Sequence, residues 1–115
     1  MICDLRIDAA RGTIGWRSGE QAHEARIGGA VAARAGTDGL QLVVLVREKG
    51  ESGLIVLSAD GRERAQVSAP AGYVLSHFEG EAVVGQGDES VDGWRDWYFE
   101  IDVEKRRLQR MGPAY

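Results

Sequence analysis

Glycine falls between short apolar runs along almost the whole of this chain, and that spacing favours short strands joined by tight turns. Sixteen glycines stand against two prolines in 115 residues, with no repeating tract that would suggest disorder. Read this way, residues 2–8 form a strand with Cys3, Leu5 and Ile7 on its apolar face. Ala9 to Gly12 turn the chain, and Thr13 to Arg17 return with Ile14 and Trp16 on one face. Residues 18–36 admit two readings. The alanines and the Ser18…Gln21 spacing suit a capped helix, but Gly28-Gly29 would break it midway and also makes a good hairpin turn, so two weak strands are preferred.

Thr37-Asp38-Gly39 reads as a turn. Leu40 to Val46 is the most apolar run and the candidate central strand. Glu48 to Gly53 reads as a charged loop, Leu54 to Leu57 as a buried strand, and Asp60-Gly61 as the turn into Arg64 to Val67. After a break at Pro70-Ala71-Gly72, four strands are expected at 73–78, 81–85, 94–102 and 108–111. They are joined by Gly80, an acidic loop at 86–93 and a charged turn at 103–106.

The two ends of the chain share a pattern. Aligning Phe99 on Leu5 places Ile101 on Ile7, Asp102 on Asp8 and Leu108 on Ile14, so each end reads as strand, polar turn and strand. The runs Tyr73-Val74-Leu75, Ala82-Val83-Val84, Tyr98-Phe99-Glu100-Ile101-Asp102 and Leu108-Gln109-Arg110-Met111 resemble the four strands of a β-propeller blade. That resemblance implies a sheet topology only, since too few such units are present to close a ring. The expected fold is all-β, within one domain spanning 1–115. It is an antiparallel meander of about eight or nine strands, in blade-like hairpin units packed as two small sheets, a sandwich or a flattened barrel.

Composition narrows the partners. A net charge of −4 disfavours a general nucleic-acid binder, which needs a basic surface to release counterions, and suits a basic protein partner instead. The only cysteine, Cys3, allows no internal disulfide; beside Asp4 it reads as a buried structural thiol. Charges at Asp4, Arg6 and Asp8 interrupt what a signal peptide would keep apolar. No run reaches membrane-spanning length, so a cytoplasmic protein is expected.

No catalytic set emerges from the residues, and a non-enzymatic protein is expected. Asp88, Ser90, Asp92 and Gly93 occupy positions 1, 3, 5 and 6 of a calcium-loop pattern, but Phe99 stands where the bidentate carboxylate must be. No metal or cofactor is expected. His23 and His77 have no partner by spacing, and strand alternation would send Ser76 and His77 to opposite faces. Lys105, Arg106, Arg107 and Arg110 fit a hairpin turn and a charged outer strand better than a nucleic-acid contact.

Period two assigns Trp97 and Phe99 to the core and leaves Trp94 at the loop edge. Trp94 with Asp88, Glu89, Asp92 and Asp96 then has the anchor-and-rim composition of a protein interface. The leading expectation is a protein-binding domain, for example an immunity or antitoxin-type inhibitor that covers a basic partner. A structural module that self-assembles into homo-oligomers through its sheet edges is the alternative, and small-ligand or carbohydrate binding the second alternative.

Overall fold

A computed structural model describes residues 1–36 and 38–114, so Thr37 of the expected turn lies outside the described residues. Among the described residues the chain is all strand and turn. The eleven strands are β1 (Ile2–Asp8), β2 (Thr13–Ser18), β3 (Gln21–Arg26), β4 (Ala30–Ala35), β5 (Gln41–Glu48), β6 (Glu51–Ser58), β7 (Glu63–Ser68), β8 (Tyr73–Glu79), β9 (Ala82–Val91), β10 (Trp94–Asp102) and β11 (Arg107–Pro113). They form three antiparallel sheets in chain order, β1-β2-β3, β4-β5-β6-β7 and β8-β9-β10-β11.

The all-β expectation holds, whereas the expected two sheets of eight or nine strands become three sheets of eleven. Each expected segment is present as its own strand, and tighter turns make several of them longer than expected. The expected loop at 48–53 is a two-residue hairpin at Lys49-Gly50, both left-handed (φ 54° and 81°), with Glu48 paired to Glu51. A left-handed pair matches the natural twist of two strands and so permits the shortest connection. The 18–36 stretch is two strands, as preferred, but Gly28-Gly29 is not their hairpin turn: β3 pairs with β2, and β4 with β5. The glycine pair carries the chain from the first sheet to the second. A Cβ on Gly29 would sit 2.9 Å from the Arg47 carbonyl oxygen, so this close crossing requires glycine.

The middle sheet is covered on both faces. Leu42 and Val44 pack with Ile14 and Trp16 of the first sheet, while Val43 and Leu45 pack with Trp97 and Phe99 of the third. Burial on both sides explains why 42–45 is an unbroken apolar run with no polar alternation. Each of these four side chains contributes about 1.5–3 kcal/mol by leaving water. Polar bonds fix the layers to one another. The Trp16 indole N–H donates to the Ala59 carbonyl at 2.8 Å, the Leu75 N–H donates to the Ser52 hydroxyl at 2.9 Å, and the Arg34 guanidinium donates to the Glu81 carbonyl at 2.7 Å.

One expectation fails through an irregularity in β1. Register shifts between Cys3 and Arg6, where Asp4 is left-handed (φ 52°), so a bulge interrupts the alternation. Ile2 therefore enters the core with Leu5 and Ile7, and Cys3 is exposed rather than buried.

Candidate docking surface

The proposed rim lies where β9 meets β10. Val91 pairs with Trp94, but the next registered pair is Gln86 with Asp96, so residues 87–90 bow out opposite the single residue Arg95. Gly87 permits the bow, because a Cβ there would stand 2.7 Å from the Arg95 carbonyl oxygen. The expected acidic loop at 86–93 is thus mostly strand: β9 runs on to Val91 and only Asp92-Gly93 turns, again as a left-handed pair (φ 50° and 85°). A tight turn compatible with strand twist lets the ladder continue where the acidic composition suggests a loop.

Asp88, Glu89 and Asp92 are exposed on this bow and turn, and Asp96 is half-buried on β10. Asp88 is anchored by its N–H, which donates to the Gly72 carbonyl at 2.9 Å. Trp94 is 41% exposed, and its carbonyl accepts the indole N–H of Trp97 at 3.1 Å. Trp97 and Phe99 are buried, at 8% and 2%, as the alternation predicts. The exposed indole therefore stands on backbone held by a core side chain. Asp88 also lines an open depression of about 410 Å³, together with Gly72, Tyr73, Val74, Gln86 and Gly87. Among the described residues no three His, Cys, Asp or Glu side chains are grouped closely enough to hold a metal ion.

The histidines are placed differently from the sequence reading. Register shifts between Leu75 and His77, and the bulge at Ser76 cancels the alternation, so Ser76 Oγ lies 2.9 Å from His77 Nδ1 instead of on the opposite face. The pair sits on an edge strand, with His77 paired across the sheet to Val84. His23 stacks on Trp16, ring centroids 5.6 Å apart, and so belongs to the packing of the first sheet. Of the basic cluster, Arg110 lies over the Trp97 ring at 4.5 Å, while Lys105, Arg106 and Arg107 are exposed around the β10–β11 turn.

Among the described residues no helix is long and apolar enough to cross a membrane. No family model, curated protein or solved structure matches the chain.

Proposed function

We propose that this chain is a non-enzymatic, cytoplasmic protein-binding domain whose basic partner docks on the rim formed by Asp88, Glu89, Asp92, Trp94 and Asp96. An inhibitor of the immunity or antitoxin type is the most concrete version, because acidic surface is what would cover a basic active site. The observation that carries the reading is Trp94: a large aromatic side chain, well exposed, on backbone tied to a buried tryptophan and flanked by exposed carboxylates. Rigid aromatic anchors inside a charged rim are where interface energy concentrates.

The test is capture of native-cell proteins on the immobilised chain at low salt, followed by calorimetry with the protein retained. A basic protein should be retained and then released at high salt. The combined variant Asp88→Asn, Glu89→Gln, Asp92→Asn and Trp94→Ala should weaken its binding by about 30-fold or more, the scale of one lost aromatic anchor. Undiminished binding by that variant would remove the rim from the interface.

A further inference from the structure

The net charge of the chain is localised. Residues 1–72 carry nine acidic and nine basic side chains, whereas 73–113 carry nine acidic and five basic, so the whole excess of −4 belongs to the third sheet. Four of its five basic side chains, Lys105, Arg106, Arg107 and Arg110, lie around the β10–β11 turn and on β11, and the fifth, Arg95, lies near the start of β10. The remainder leaves acids on the sheet's outward face, opposite the core positions Val83, Trp97 and Phe99. Strand alternation puts Asp96, Tyr98 and Glu100 of β10 on that face, with Val84 of β9 and Glu79 of β8.

Tyr98 gives the face its shape. Its phenol is directed at the Glu79 carboxylate, whose proximity raises the Tyr98 pKa above the ordinary 10.0, although β9 lies between their two strands. The ring therefore lies across β9, and Val84, the cross-strand neighbour of Tyr98, is only 3% exposed despite facing outward. A flat aromatic ring framed by carboxylates matches a guanidinium, which stacks on aromatic faces while its fork of N–H donors meets a carboxylate. The chain already places a guanidinium over an aromatic ring twice, with Arg110 over Trp97 and Arg34 over Phe78 at 5.5 Å. The outward face of the first sheet offers no such preference, because Arg6, Arg17 and Arg26 there are matched by Asp4, Asp8 and Glu24.

We infer that this outward face, centred on Tyr98 and framed by Glu79, Asp96 and Glu100, binds an arginine-bearing segment of the basic partner. The inference rests on the protein-binding reading and extends its surface from the rim onto the sheet.

The probe is a peptide of eight arginines, with eight lysines as comparison, titrated calorimetrically into the intact protein at low and high salt. The wild-type protein should prefer arginine several-fold, and the preference should vanish in Tyr98→Ala. Glu79→Gln with Glu100→Gln should weaken both peptides and flatten the salt dependence. Circular dichroism melts identify any variant that fails to fold, and Tyr98→Phe, which keeps the ring, should keep the arginine preference. If the Tyr98 and Glu79/Glu100 variants bind like wild type while the four-residue rim variant does not, the inference falls and the rim reading stands. If neither set changes binding, both fall.

Discussion

Arg106→Gly is expected to stabilise the protein, because Arg106 occupies a position that the matching hairpin gives to glycine. In β1–β2 the pairs Ile7↔Ile14 and Asp8↔Thr13 close a four-residue loop; in β10–β11 Ile101↔Leu108 and Asp102↔Arg107 close its equivalent. The Asp8 carboxylate accepts the Arg11 N–H at 3.1 Å, and Asp102 accepts the Lys105 N–H at 3.1 Å. The fourth loop residue is left-handed in both, Gly12 at φ 66° and Arg106 at φ 53°. A side chain costs about 1–2 kcal/mol in that conformation. Glycine's greater freedom in the unfolded chain costs about 0.5–1 kcal/mol, leaving a net gain of about 0.5–1 kcal/mol for Arg106→Gly. The converse change, Gly12→Ala, should lose a similar amount: a Cβ there meets the Ile27 carbonyl oxygen at an ordinary 3.6 Å, so the strain is conformational alone. At this chain length these changes correspond to roughly 2–5 °C in Tm, up for the first and down for the second. Urea denaturation followed by circular dichroism measures both, with Glu104→Gly as the control. Glu104 is in the same loop but is not left-handed, so glycine there should destabilise by about 0.5–1 kcal/mol. If Arg106→Gly and Glu104→Gly shift the midpoint in the same direction, the conformational argument is wrong.

Two further outcomes follow from packing and charge. Gly85→Ala should cost about 1–3 kcal/mol, since its Cβ would lie 2.7 Å from Cε2 of the buried Phe99 ring, whose edge-on contact with Tyr73 limits its movement; an unchanged urea midpoint would contradict this. Asp60 accepts hydrogen bonds from the Ser58 hydroxyl and, at 3.2 Å, from the Arg62 N–H, and these hold its pKa below the ordinary 3.8. A depressed carboxylate pKa contributes stability above the unfolded value that is lost as pH falls through the folded one. The Tm difference between wild type and Asp60→Asn should therefore shrink below about pH 4, and a difference independent of pH would refute the assignment.

How much of this was legible in the sequence depends on whether a residue obeys strand alternation. Trp97, Phe99, Ile14 and Trp16 follow the period of two without interruption, and all four are buried as expected. The matched endings Ile7-Asp8 and Ile101-Asp102 correspond residue for residue because the same capped loop follows each. Cys3 and the Ser76–His77 pair depart from the alternation because bulges at Asp4 and Ser76 each add one residue to the count, and neither bulge carries a glycine that could announce it. The sheet count was hidden for another reason. Gly28-Gly29 suits a hairpin turn and a close crossing equally well, and only the packing of β4 against β5 decides between them. The localisation of charge in the last third was available from the sequence, in the position of the acids relative to the bases.

The outward faces also bear on whether copies of this chain would stack. Inside the molecule, neighbouring sheets meet through Ile14, Trp16, Val43, Leu45, Trp97 and Phe99, none of which is polar on the packed surface apart from the bonded indole nitrogens. A further sheet laid on either end would instead cover Arg6, Arg17 and Glu24, or Glu79 and Glu100, and each charge removed from water costs more than a surface ion pair returns. The charged end faces therefore act as caps, as polar outer faces do in repeat proteins, and weigh against assembly by continued stacking. Under the proposed reading, a partner for the third sheet would have to supply its own compensating charges, which favours a basic protein over a second copy whose first-sheet face is balanced in charge.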